Sequence, residues 1–507
     1  MRRVVLAALL AAVPLPFDVA QGTPSESRGV QAADSGTDLI EAVKDGNRTA
    51  VRALLAQRAN VNAAEADGMT PLLWAVRGDD LETARLLVRA GANVKTASRY
   101  GITGLMLAAQ NGSAPVLDLL LEAGADPNAA LPDGQTALMT AARTGVPAAI
   151  KTLAAHGAKV NAAEQWQGQT ALTWAAHQNH AEAVRTLVAL GADPNARSKE
   201  LSFPEFKWET SGMVVTILPR GGWTALMYAA RDGAIDAVAA LADAKADLNA
   251  QDPDGATALM LAIINAHFDT ANVLLEKGAD PNVADSTGTT ALYNAVDMHT
   301  MAPMLSRPAP KLVDALTALD LVKRLLARGA NPNARLARPT IGRHHTPTGD
   351  AALGEGTTPL MRASKSNDLP VMTALLEGGA DPTLTLKDRT TAAMVAAGGG
   401  AVIGAYANAI PVTEDTSIEA IRLLLAKGVD VNAFNTAGQT ALHLAVQRGA
   451  EKVVRFLAQS GARLDIRNKQ GRTPLEIAQT GVGGRGGRGG AASPTMTALL
   501  KELGARQ

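Results

Sequence analysis

An all-α solenoid built from about twelve helix-turn-helix units is the fold this sequence predicts, and three observations predict it. First, the chain repeats itself: GMTPLLWAVRGDDLETARLLVRAGANVKTASRY from Gly68 is followed by GITGLMLAAQNGSAPVLDLLLEAGADPNAALPD from Gly101. The register returns at Gly134, Gly168, Gly222, Gly255, Gly288, Gly356, Arg389, Gly438 and Gly471, after a degenerate unit from about Thr37 to Asp67. A short fixed period of this kind marks stacked units that cannot bury their apolar faces alone. Second, most units carry the start and stop signals of two helices, a threonine cap before the first and a glycine after the second. Third, 47% of the 507 residues are apolar but only 3% are aromatic, so the core must be made of small aliphatic side chains.

The elements follow in order. Met1-Arg2-Arg3, ten apolar residues from Val4 to Val13, then Pro14 and Pro16 describe a secretory signal peptide over residues 1–20. The run is too short for a membrane span, which needs about 20 residues, and nothing later in the chain is longer. Residues 21–36, rich in Ser, Gly, Gln and Ala, read as a flexible tether. Residues 37–507 form the solenoid. In each unit a threonine (Thr70, Thr136, Thr170, Thr224, Thr257, Thr358, Thr440) caps the first helix, and Pro71 or Pro359 occupies a first turn where its missing N–H costs nothing. Leu72, Leu138 and Leu259 point into the layer, and pairs such as Ala141-Ala142 and Ala175-Ala176 let neighbouring helices approach closely. Gly91, Gly124, Gly191 and Gly278 end the second helix in the left-handed conformation.

The combination of G-x-T-A/P-L-x-x-A-A with L-L-x-x-G-A-D-P/V-N resembles the ankyrin repeat, and it covers nearly all of the chain beyond the leader. The resemblance implies a concave face, lined by turn tips and first helices, that binds other proteins. The alanine-rich leader and the pattern of insertions look like exported bacterial members of that family.

Five insertions break the period, near residues 198–221, 298–316, 336–355, 398–417 and 481–494. In the first, Lys207 to Thr210 and Met213 to Ile217 around Ser211-Gly212 read as a β-hairpin that lengthens one turn tip. The second at that edge carries His344-His345. The other three fall between the first and second helices of alternate units, which aligns them on the opposite lip. The glycine-rich insertion after Gly481 reads as disordered.

Chemistry is sparse. With 48 Lys+Arg against 48 Asp+Glu the chain lacks the basic field of a nucleic-acid binder, and without cysteine it has no thiol nucleophile or Cys-ligated metal. Gly481-Val482-Gly483-Gly484-Arg485-Gly486 matches a dinucleotide fingerprint but follows no strand, so a linker is the better reading. No nucleophile or P-loop signature occurs; neither catalysis nor a cofactor is expected. The alternative is a metal-handling or enzyme-like module on the insertions, using Met298, Met301 and Met304 beside His299, or His344-His345 with Asp350. Thioethers at helical spacing are more often packing surface, and His180, His267 and His443 read as structural.

A recognition surface is the preferred reading. The register assigns Tyr100, Trp166 and Trp223 to exposed turn tips, with Trp208 on the neighbouring hairpin, and Arg77, Arg143, His177, Gln178 and Arg231 to exposed positions of the first helices. Aromatic and arginine side chains are the usual anchors of binding hot spots. Trp74, Trp174 and Tyr228 occupy the inner-helix position held elsewhere by leucine, so they are expected in the core. An aromatic ridge beside a basic stripe predicts a partner protein with an acidic surface and an apolar rim, held by a monomeric, noncatalytic, exported solenoid in a periplasm or secreted medium.

Overall fold

The computed structural model describes residues 35–201, 206–207, 214–215, 220–300, 313–338, 353–398, 412–481 and 492–506. Twenty-four helices lie among them and pair into twelve units, from Ser35–Lys44 with Arg48–Ala56 to Pro474–Thr480 with Pro494–Glu502. The first helix begins at Ser35, two residues inside the span read as tether. First helices pack on first helices of the next unit and second helices on second helices, and one hydrophobic core runs unbroken from Leu39 to Leu500.

The local reasons are those in the sequence. Thr70 Oγ1 accepts the Leu73 N–H and Thr257 Oγ1 the Met260 N–H, both at 3.3 Å, and Pro71 and Pro359 sit in the first turns. Leu72, Leu138 and Leu259 are buried, and Ala141, Ala142, Ala175 and Ala176 have no exposed surface. Gly91, Gly124, Gly191 and Gly278 have φ between 90° and 98°. A second glycine series, at the turn between the two helices of a unit, leaves room for the next unit. A Cβ on Gly145 would lie 2.4 Å from the His180 ring, and one on Gly233 would lie 2.5 Å from His267. That packing is what the structural histidines do. His443 has no exposed surface, and its Nδ1 accepts the Thr440 N–H at 3.2 Å, closing a capping box.

Two ladders tie unit to unit. At the tips, the Arg99 N–H donates to Asp67 O (2.7 Å), Gln165 to Asp133 (2.6 Å) and Thr436 to Asp388 (2.7 Å). Pro132 and Pro253, which have no N–H, occupy the matching donor positions of two other turns. At the ends of the second helices, the asparagine that closes the repeat bridges to its neighbour. Asn161 donates to Gly191 O at 2.9 Å and accepts the Asp193 N–H at 2.9 Å, and Asn62, Asn128, Asn282, Asn333 and Asn432 repeat both bonds.

The insertions depart from the sequence reading in their bounds. The hairpin stem forms, but it starts earlier: Glu200–Leu201 pairs antiparallel with Arg220–Gly221, and Phe206–Lys207 with Val214–Val215. Its turn and Trp208 lie outside the described residues. The helix Ala291–Thr300 runs three residues longer than the first helices on either side of it and takes in Met298 and His299, which the sequence placed in an insertion. Likewise Glu414–Ala426 begins inside the span read as the 398–417 insertion, because Thr413 and Thr416 form a capping box there. The 336–355 insertion returns to its origin: Leu336 and Leu353 are buried, and Leu336 exchanges backbone bonds with Gly356 (2.8 Å) and Thr357 (2.9 Å).

Candidate interaction surface

The tips separate into two kinds. Tyr100 and Trp166 are 66% and 75% exposed, the most exposed aromatic side chains among the described residues. Trp166 is held out by a specific turn. The bridge pairs there are Ala163 with Thr170, against Ala97 with Thr103 two units earlier, so this turn carries one extra residue. The buried Glu164 carboxylate fills the turn, accepting the N–H groups of Trp166 (2.6 Å), Gln167 (2.8 Å) and Gln169 (2.8 Å). With the backbone pinned from inside, the indole has no place but solvent. At the other exposed tip the Arg99 guanidinium lies 5.5 Å from the Tyr100 ring centre.

Trp223 is of the other kind, and its reading as an exposed tip does not hold. The side chain is half-buried; its Nε1 donates to Asp252 Oδ2 of the following turn at 3.0 Å, and its ring meets Tyr228 edge-on at 5.2 Å. A hydrogen-bonded indole wedged between two turns serves the stack.

On the first helices the arginines sit over aromatic rings. Arg77 lies 5.2 Å from the Trp74 ring with Lys44 at 4.9 Å, Arg143 lies 5.2 Å from Trp174, and Arg231 lies 5.3 Å from Trp223 and 5.4 Å from Tyr228. Tyr228 is buried as expected. Trp74 and Trp174 are only partly so: each packs one edge on the core and lends a face to a cation, an arrangement that strengthens as water is removed. The Trp74 Nε1 donates to Glu65 at 2.6 Å, whereas the Trp174 Nε1 is buried with no hydrogen-bond partner.

The basic stripe is shorter than the sequence suggests. Arg77 and Arg143 are exposed, and among the described residues neither faces a carboxylate within ion-pair distance. Arg231 is different: its Nε donates to Asp232 Oδ1 at 2.8 Å, and the other Asp232 oxygen lies 2.7 Å from His177 Nδ1. The Asp232 bond raises the His177 pKa above its ordinary 6.5 against the effect of burial. For Asp232 burial acts upward, but the bonds from His177 and Arg231 outweigh it and hold the carboxyl below 3.8. His177, Arg231 and Asp232 thus form a closed cluster across two units, and Arg231 is not a free cation. Gln178 is exposed beside it.

Of the residues named for the metal alternative, the structure describes Met298 and His299. His299 Nδ1 lies 2.6 Å from Asp368 Oδ2, whose side chain has no exposed surface, and Met298 packs against the core. Met301, Met304, His344, His345 and Asp350 lie outside the described residues. Among the described residues no three His, Cys, Asp or Glu side chains group as metal ligands would.

His299 belongs to a buried polar seam that sequence reasoning missed. Arg362 Nε meets Asp297 Oδ1 at 2.5 Å, with both side chains buried, and Asn367 donates to Ser417 at 2.7 Å, which in turn accepts Arg448 at 3.0 Å. The signal was present: Arg362 occupies the inner-helix position that holds Trp74, Leu107, Trp174 and Leu261 in other units.

Comparison with known proteins decides the family. A model of ankyrin repeats in three copies matches residues 25–98, 105–198, 210–285, 226–307 and 410–483, and a single ankyrin repeat matches 355–387. The chain belongs to the ankyrin repeat family. It is similar to the mouse B-cell lymphoma 3 protein homolog, with 29% identity over 208 residues, 36% of this chain and 42% of that protein. It is also similar to the mouse ankyrin repeat and SAM domain-containing protein 6, with 35% identity over 124 residues, 24% of this chain and 11% of that one. The chain therefore spans less than half the length of these curated relatives. Among solved structures the human ASB11 ankyrin repeat domain aligns with a TM-score of 0.39 and 26% identity, over 48% of this chain and 98% of that domain. Ankyrin solenoids are typically protein-interaction scaffolds, and among the described residues no helix is long and apolar enough to cross a membrane.

Proposed function

We propose that this ankyrin protein is a noncatalytic scaffold that captures a partner protein on the face made by its first helices and turn tips. The observation that carries the reading is the pairing of two outlying aromatics, Tyr100 and Trp166, with two exposed cations, Arg77 and Arg143, that face no carboxylate among the described residues, each stacked on a half-buried tryptophan. Such a surface suits a partner with an acidic patch and an apolar rim. Arg231 and Trp223 support the frame of this face and are not anchors of it. In the same proposal the chain is exported by its basic, apolar N-terminal segment and acts as a monomer in a periplasm or secreted medium.

The test is capture of the native partner by purified variants. Trp166→Ala should weaken capture by about 2 kcal/mol or more, as truncated anchors typically do, with the melting temperature unchanged. Arg143→Glu should slow association most at low salt. Trp223→Ala should lower the melting temperature, because it removes a hydrogen bond between adjacent turns. Normal capture by the Trp166 and Arg143 variants would overturn the assignment of the face. N-terminal sequencing of mature protein that began at Met1 would overturn export.

A further inference from the structure

The turn that opens the unit at residue 389 is unlike the others. At Gly68, Gly101, Gly134, Gly168, Gly222, Gly255, Gly288, Gly356, Gly438 and Gly471 the same position is a glycine with φ between 65° and 90°. Arg389 holds this conformation with φ 67°, in a region that a side chain with a Cβ disfavours. The turn is otherwise regular, with its tip bond to Thr436 N in place. The chain therefore keeps a guanidinium where the fold asks for glycine.

That guanidinium has a setting. It lies 5.2 Å from the ring centre of Phe434, which is 49% exposed, at the mouth of a groove of about 410 Å³ lined also by Ile466, Arg467 and Lys469. The charges around the groove sort cleanly. Arg467 is paired with Glu476 at 2.9 Å, and the Asp388 carboxylate accepts the Thr390 N–H of its own turn at 2.9 Å. Arg389 and Lys469 are exposed and face no carboxylate within ion-pair distance among the described residues. Two free cations flanking an exposed aromatic make a site for an anion joined to an apolar group.

We infer that this groove binds an acidic segment of a partner protein, one in which a carboxylate is followed closely by an apolar side chain. The carboxylate meets Arg389 and Lys469, and the apolar side chain lies on Phe434 and Ile466. The site lies five units along the solenoid from Trp166, and it stands on its own residues whether or not the face around Trp166 has the role proposed for it.

The experiment uses the full chain and a fluorescein-labelled synthetic peptide of alternating Glu and Leu, followed by fluorescence anisotropy. Arg389→Gly and Phe434→Ala should each weaken binding by about tenfold or more, the loss expected of a hot-spot side chain. The melting temperature of Arg389→Gly should be unchanged or higher, because glycine relieves the left-handed backbone. Trp166→Ala should bind the peptide as the wild type does, and an all-Glu peptide should bind more weakly than the alternating one. Wild-type affinity in Arg389→Gly would overturn the inference. So would loss of binding in Trp166→Ala, which moves the peptide to the surface around Trp166, or a lower melting temperature in Arg389→Gly, which makes the arginine structural. Equal affinity for a single-stranded oligonucleotide would mark a general polyanion surface and overturn it as well.

Discussion

His177 shows how one carboxylate converts a surface position into part of the frame. Its pKa is raised by the bond it donates to Asp232, and that of Asp232 is lowered by the bonds from His177 and Arg231. A raised histidine contributes its stability fully below its unfolded value, about 6.5, and loses it as pH rises through the folded value. A lowered aspartate contributes above its unfolded value, about 3.9, and loses it as pH falls through the folded one. The pair is therefore worth most between roughly pH 4 and 6.5. An NMR titration should place the His177 pKa above 6.5, and Asp232→Asn should return it toward that value. The difference in denaturation midpoint between wild type and His177→Gln should be largest near the middle of that window and shrink at alkaline pH. His443 runs the other way, since burial lowers its pKa: the chain loses stability as pH falls from about 6.5 toward the folded value of that ring.

At the scale of the element, the turns carry more of the architecture than their polar composition suggests. Six repeat-closing asparagines, Asn161 among them, each make two bonds to the next unit, Asn195 and Asn249 accept one each, and none of these bonds lies within a helix. Asn161→Ala removes the bonds to Gly191 O and the Asp193 N–H together and should cost roughly 1–2 kcal/mol, the net worth of two ordinary hydrogen bonds. Urea denaturation would measure it. A cost near zero would mean that water replaces both bonds without loss. The extra residue in the turn after Asn161 has the opposite effect, opening the turn so that Glu164 must fill it and Trp166 must leave it.

For the molecule as a whole, the unbroken core means that damage is shared between neighbours and no further. Leu259 is 1% exposed in the first helix Ala258–Ile264, which touches the first helices on either side of it. Leu259→Ala should cost roughly 2–5 kcal/mol, combining lost burial with the cavity left behind. Hydrogen exchange should show reduced protection in that unit and the two adjoining ones, with the terminal units little changed, as expected where each repeat is held by its nearest neighbours. A loss confined to one unit, or spread evenly along the solenoid, would contradict this.

The sequence by itself determined the helices, their caps, the number of units and the class of fold, because those rest on signals within a few residues of each other. Thr257 caps the helix that starts beside it, and Gly278 ends the one before it, whatever lies elsewhere in the chain. The tertiary structure alone decided which aromatics and cations are available to a partner. Trp223 and Trp166 occupy similar places in the repeat, but one indole finds Asp252 in the following turn and the other is pushed out by the carboxylate beneath it. Arg143 and Arg231 share a register position, but only the second has a carboxylate beside it that a histidine from the preceding unit holds in place. Those contacts join neighbouring units, and the repeat, which fixes where each unit lies, leaves the side chains at its variable positions to settle what meets what.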